Sequence, residues 1–401
     1  MGGTEIAADG SGLGRRDLLR GALALPLAYA ARSSRDAAPV AGEDDRRQPG
    51  LISRQRHPDN LEFPFSTLDA DRFLTPNDHF YVRTHFEVPD LDAKTWKLGI
   101  EGDVEHPFEI GHDELRRMPS QNVTALLECS GNGRVFLEPP QVGIRWELGG
   151  VSTAEWKGVP LAAVLERAGV KPSAVEVILE GSDKGEFKEP NPKTPGVIPY
   201  ARSLPLSKAK APEVLLAYEM NGKPLPSRHG HPVRAVVAGW YGMASVKWLK
   251  RIVVTDRPFE GYFQTFMYSI WGRRHGLPTL VPVSEIRVKS QIARPAPFEV
   301  VPKGTKYRMV GAAWAGESDV AKVEVSDDGN ETWATARLLG EPVKFAWRLW
   351  EHDWRTPERV GQHVIMARAS DTRGRVQPIG RDNDRRDAVI NHVLPIEVVV
   401  R

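Results

Sequence analysis

Apolar residues along this chain alternate over short runs far more often than they recur at helical spacing. "TWKLGIEG" (Thr95 to Gly102), "AVEVILEGS" (Ala174 to Ser182), "HPVRAVVAG" (His231 to Gly239) and "SVKWLKRIVVTD" (Ser245 to Asp256) read as strands. "VTALLEC" (Val123 to Cys129) reads as a short buried strand that the "SGNG" turn breaks. Only "HDELRRM" and "PLAAVLERAGV" show helical periodicity in this region. The Asn221-Gly222 pair between two apolar runs signals a hairpin. Strands and short helices mix without strict βαβ alternation, which predicts an α+β domain.

The pattern changes near Val281. "GTKYRMVGAAW", "VAKVEVSDDGNETW", "FAWRLWEHDW", "GQHVIMARAS" and "LPIEVVV" are strands separated by turns, and no helix is predicted. Their spacing predicts an immunoglobulin-like all-β sandwich, although no Cys-Trp-Cys pattern is present. The expected divisions are residues 1–31, 32–57, 58–275 (the α+β domain) and 276–401 (the sandwich).

The first two divisions rest on composition. Arg15-Arg16 precedes an apolar run from Gly21 to Ala31 that is too short to span a bilayer. It reads as an export signal of the twin-arginine type, cleaved near Ala30, against the alternative of a chance Arg-Arg before a small amphipathic helix. A periplasmic or other extracytoplasmic location follows, with no membrane span in the mature chain. Residues 32–57 are polar and charged without apolar periodicity and read as a linker outside the fold.

Among 401 residues, 54 Lys and Arg against 52 Asp and Glu give a formal net charge of +2. With the two signs interspersed, no nucleic-acid partner is expected. The single cysteine, Cys129, excludes an intramolecular disulfide, a cysteine-rich zinc site and covalent haem attachment. A lone cysteine is ordinarily core material. Its place at a strand end facing a glycine-rich turn suits chemistry better than packing.

Four segments, "FYVRTHFEVPDLD" (Phe80 to Asp92), "ECSGNGR" (Glu128 to Arg134), "LLAYEMNGKPLPSRHGHPVR" (Leu215 to Arg234) and "SVKWLKRI" (Ser245 to Ile252), resemble in order and spacing the sulfite oxidase family of molybdopterin enzymes. The resemblance runs from about residue 60 to the C-terminus. It implies a molybdopterin-binding domain of the sulfite oxidase type, a dimerising sandwich, and one molybdenum-molybdopterin per chain. No haem is expected in this chain. Cys129 falls where the family has its one protein ligand to the metal, a role suited to a soft thiolate.

By the same resemblance, Tyr81, Arg83, His85, Asp183, His229, Arg234, Ser245, Val246 and Lys247 line the cofactor. Arg83, Arg134 and Arg386 surround a substrate anion, and Tyr268 is the active-site tyrosine. Without the resemblance, Arg234 and Lys247 also read as solvated strand faces, Tyr268 as a core tyrosine, and His229 with His231 as half of a divalent metal site. Two departures touch the substrate side: Gly133 stands where the family has the first of two arginines, and "FMYSIW" surrounds Tyr268. The implied activity is oxidation of sulfite to sulfate, with a c-type cytochrome as acceptor and a homodimer as the assembly. The alternatives are a sulfane-sulfur or other sulfur-oxyanion dehydrogenase, nitrate reduction, and a non-catalytic exported binding protein.

Overall fold

A computed structural model describes residues 50–188, 193–273 and 276–401. The expected export signal lies outside the described residues. One antiparallel sheet, one mixed sheet and a small three-stranded one build the first domain. One sheet runs Lys223–Pro224, Val214–Met220, Val151–Pro160, Gln121–Glu128, with Arg234–Val237 also paired to Val214–Met220. The other runs Phe108–Gly111, Lys97–Gly102, Leu249–Thr255, Glu176–Gly185, Ile198–Pro205, and its one parallel pairing joins Lys97–Gly102 to Leu249–Thr255.

Both expected helices form. In Leu161–Ala168 the buried residues Leu161, Val164, Leu165 and Ala168 make one apolar stripe, and Gly169 ends the helix at a left-handed φ of 67°. The Asn221-Gly222 hairpin has both central residues at positive φ, 49° and 72°, the backbone that a two-residue turn with right-handed strand twist requires.

The expected linker ends too late. Ile52–Gln55 is a strand that pairs antiparallel with Asn60–Glu62, and Arg54 bridges the buried Glu62 and Glu147. The polar composition that suggests a solvated segment here belongs to an edge strand, whose charged groups find partners across the fold.

The second domain is a sandwich of a four-stranded sheet (Lys289–Arg294, Lys306–Trp314, Arg348–Arg355, Arg337–Leu338) and a five-stranded one (Val300–Val301, Ile396–Val400, Gly361–Asp371, Val320–Ser326, Ala334–Thr335). Between the domains, Ser269–Gly272 pairs with Thr279–Pro282 across the expected division at 275/276, so the sandwich proper begins at Lys289. One continuous apolar core runs through both domains. Among the described residues no helix is long and apolar enough to cross a membrane.

Candidate active site

The strand Gln121–Glu128 pairs with Val151–Pro160 in unbroken register from Gln121 opposite Gly158 to Glu128 opposite Val151. Cys129 extends that ladder by one bond, its N–H donating to the Gly150 carbonyl at 2.8 Å. The chain then turns, with the Asn132 N–H donating to the Cys129 carbonyl at 2.8 Å. Gly133 follows at φ 99°, where a Cβ would press on Leu394 and Ile390 of the sandwich. Glycine at this position is thus a requirement of the turn and of the domain contact behind it.

Cys129 is buried and lines a cleft together with Tyr81, Arg83, His85, Asp183, His229, Arg234, Ser245, Lys247 and Tyr268. These residues come from loops and strand ends of both large sheets and of the small one, whose strand Val82–Arg83 carries Arg83 with Tyr81 and His85 on either side. Sequence reasoning missed Ser130, Thr84, Tyr200, Met243 and Trp248, which also line it. Ser130 and Thr84 lie within "ECSGNGR" and "FYVRTHFEVPDLD", beside residues that line the cleft; Tyr200 carried no local signal.

The wall is cationic and dry. Arg234 donates to the carbonyls of His229 and Ser245, each at 3.0 Å, and its guanidinium lies 5.0 Å from the Trp156 ring centre. Lys247 donates to the Arg228 carbonyl at 2.8 Å and sits over the Trp248 ring. Burial drives the Arg234 pKa down to about 10. Burial, then the Arg234 charge, drives Lys247 well below its ordinary value. His229 is pushed down to about 3, first by burial and then by Lys247 and Arg234. Its Nε2 contacts the Asn77 carbonyl at 3.2 Å, which makes Nε2 the protonated nitrogen of a neutral ring.

On the other wall His85 Nε2 lies 2.5 Å from the Tyr268 hydroxyl, and the His85 ring stacks on Tyr200 with centroids 4.4 Å apart. Burial holds the His85 imidazole well below its usual pKa, with Arg83, Lys247 and Arg202 adding to the effect. Burial raises the Tyr268 pKa, against the opposing charge and hydrogen bond of Arg83. Tyr268 follows a π-helical turn, Tyr262–Met267. Arg202, fully buried, clamps this turn by donating to the carbonyls of Phe263 at 2.5 Å and Val283 at 2.8 Å. A turn of this kind leaves little periodic trace in sequence.

Three expected site residues do not line the cleft. The Val246 side chain is buried in the apolar core. Arg134 donates to the Ile144 carbonyl at 2.9 Å and, through Nε and Nη2, to the Asp387 carbonyl at 3.1 and 2.9 Å. Arg386 donates to the carbonyls of Phe266 and Ser269 at 3.0 and 3.1 Å and to Ser269 Oγ at 2.9 Å. Arg386 makes these bonds through Nη1, and Arg134 Nη2 also lies 3.6 Å from the Asp387 carboxylate while its charge still reaches Tyr268, so both arginines fasten the sandwich to the cleft's surroundings. The His229/His231 metal reading also fails. His229 faces the cleft from a 3₁₀ turn, and among the described residues no three His, Cys, Asp or Glu side chains come together to hold an ion.

A metal here would draw most of its ligands from an organic cofactor, with the Cys129 thiol the soft protein group on offer. The cleft fits such a group. Asp183 Oδ1 is buried without a hydrogen-bond partner, and burial lifts the Asp183 pKa to about 7 against the Lys247 charge. An unpartnered acceptor inside a protein calls for a donor from a ligand. Gly242 keeps the cleft open, since a Cβ there would sit 2.7 Å from the Tyr81 hydroxyl. A soft thiol, two buried cations suited to a phosphate and an acceptor suited to ring N–H groups together match a metal-dithiolene pterin. This defines the class: a mononuclear metal-cofactor oxidoreductase.

Residues 85–263 match the "Oxidoreductase molybdopterin binding domain" family and residues 281–387 the "Mo-co oxidoreductase dimerisation domain" family. The chain is 37% identical over 360 residues to the sulfite oxidase of Gallus gallus, covering 85% of this chain and 75% of that protein. It is 36% identical over 357 residues to the mitochondrial sulfite oxidase of Homo sapiens, covering 84% of this chain and 63% of that one, just under two thirds of its length. The sulfane dehydrogenase SoxCD of Paracoccus pantotrophus superposes with a TM-score of 0.73 at 26% identity, covering 99% of this chain and 93% of that one. The chain belongs to the sulfite oxidase family of molybdopterin oxidoreductases. Its cofactor is molybdenum-molybdopterin.

Proposed function

We propose that this protein oxidises sulfite to sulfate and passes the electrons to an external acceptor such as a c-type cytochrome, as a homodimer joined through its sandwich domains. The observation that carries the reading is the pairing of Cys129 with a cationic, tyrosine-bearing wall in one cleft. When bound, the molybdenum centre supplies oxygen transfer to sulfur and takes up two electrons. Cys129 would be its ligand; Arg234 and Lys247 would hold the phosphate of the pterin, and Asp183 its ring N–H groups.

The chain's own residues do the positioning. Arg83 lines the cleft and brings a guanidinium beside the Tyr268 hydroxyl, so an oxyanion there meets a cation and a hydroxyl donor. Neutral His85 fixes that hydroxyl from behind and can exchange its proton. The Tyr200 ring, stacked on His85, and the Phe263 ring tilted against it cover this face with apolar surface. A twin-arginine leader would deliver the folded, cofactor-loaded protein to the periplasm.

Sulfane-sulfur oxidation is the second reading, favoured by the superposition with the Paracoccus sulfane dehydrogenase over nearly the whole chain. One experiment separates the two: sulfite-dependent reduction of cytochrome c by molybdenum-loaded protein, run beside a persulfide-bearing carrier protein as substrate. Turnover with sulfite supports the first reading; turnover with the carrier alone replaces it.

A further inference from the structure

Glu128, the residue before the metal ligand, is buried and bound on both carboxylate oxygens. Its Oε1 accepts from Lys289 Nζ at 3.0 Å and from Asn132 Nδ2 at 3.2 Å, and its Oε2 accepts from Trp314 Nε1 at 2.9 Å. Lys289 Nζ also donates to the Asn132 carbonyl at 2.9 Å. The ring closes through Asn132 Oδ1, which accepts the Gly150 N–H at 3.1 Å, and the Gly150 carbonyl, which accepts the Cys129 N–H. Hydrogen bonds at Glu128, Cys129 and Asn132 therefore hold both ends of the turn, and the two donors that complete the ring come from the sandwich. Lys289 has 0% of its surface exposed.

A buried ion pair is poor glue, because desolvating both charges offsets most of their attraction, and apolar residues of similar volume hold domains together at least as well. What such a pair does well is fix an orientation. We infer that Lys289, assisted by Trp314, is a positioning residue for Cys129: the sandwich domain completes the turn that presents the metal's thiol ligand. The metal site is thus assembled by both domains, a role beyond dimerisation for the second one. The inference rests on Cys129 holding the metal and is independent of whether the substrate is sulfite or sulfane sulfur.

The test uses the molybdenum-loaded protein, reduced with titanium(III) citrate, a sulfur-free one-electron reductant, so that no sulfite is formed, and reads the electron paramagnetic resonance spectrum of the half-reduced metal with molybdenum content per chain. Lys289→Met is expected to shift and broaden the signal into more than one ligand geometry, while Lys289→Arg restores a single signal. Trp314→Phe keeps the ring and deletes one donor to Glu128, so the fold survives even if Lys289→Met fails to fold. It is expected to shift the signal in the same sense by less. A wild-type spectrum in Trp314→Phe together with either a wild-type spectrum or no fold in Lys289→Met overturns the inference and leaves Lys289 a structural residue.

Discussion

The cleft wall and the outer face of the sandwich are both rich in charge, and they use it in opposite ways. On the sandwich, Arg308 and Arg337 both pair with Glu351, and Lys306 with Asp353; in every case the basic partner is more than half exposed. In the cleft, the buried Arg234 and the half-buried Lys247 donate to main-chain carbonyls instead of carboxylates, as the buried Arg202 does behind it. Surface pairs in water contribute little to stability. Buried cations that nearby carboxylates compensate only in part, as Asp183 does Lys247, oppose folding, and their pKa values fall accordingly. A protein retains such groups where an anionic ligand completes them, so the difference between the two regions marks the one built to receive a cofactor and an oxyanion.

The sharpest test of that contrast is the ligand itself. Cys129→Ser should lose stoichiometric molybdenum and more than about 10³ in kcat, or about 4 kcal/mol of barrier, while gel filtration and circular dichroism show an unchanged fold. Retained metal and activity in the serine variant would sink the site assignment.

Acid is the next largest lever. His229 has a folded pKa of about 3 against 6.5 in the unfolded chain, so below pH 6.5 the unfolded state binds the extra proton. Its contribution is present above 6.5 and is lost as the pH falls toward 3, by on the order of 4 kcal/mol. Denaturant titrations of His229→Gln between pH 7 and 4 should show a flatter decline than wild type; parallel curves would mean that the buried histidine is not the acid-sensitive group.

Tyr268→Phe removes one hydroxyl from between His85 and Arg83. The expected loss in kcat/KM is about 10- to 100-fold, the size of a hydrogen bond to a charged group. An unchanged value places the substrate elsewhere in the cleft.

Lys247→Met should move the two forms of the protein in opposite directions. Cofactor-free protein should gain about 1 kcal/mol in urea unfolding, because a desolvated cation is gone. Retention of the pterin through dialysis should drop about tenfold. If both forms weaken together, Lys247 is structural and the contrast between the regions dissolves. At the small end, Arg308→Ala should change stability by less than about 0.5 kcal/mol, since its pair with Glu351 is solvated.

Much of the fold was legible because it is local. Alternation in "TWKLGIEG" and "AVEVILEGS", the apolar stripe of "PLAAVLERAGV" and the Asn221-Gly222 turn each depend on neighbours within a few residues, and each forms as read. The polar stretch around Ile52–Gln55 misled because an edge strand tolerates the composition of a linker. The cleft was legible where side chains simply line it, as Tyr81, Arg83, His85, Asp183, His229, Arg234, Ser245, Lys247 and Tyr268 do.

The placing of Arg134 and Arg386 was not legible, because a guanidinium can bond main-chain carbonyls as well as anions, and only the folded chain decides which groups are near. The same holds for Lys289, 161 residues from Glu128 along the chain. From sequence alone came the element types, the strand end that carries Cys129 and the family. Tertiary structure alone decided which charges face the cleft, which fasten the sandwich behind it, and that the turn carrying Cys129 is closed from the other domain. Periodicity is set by near neighbours, whereas the partner of a buried charge is set by whichever group the packed chain brings within hydrogen-bond reach.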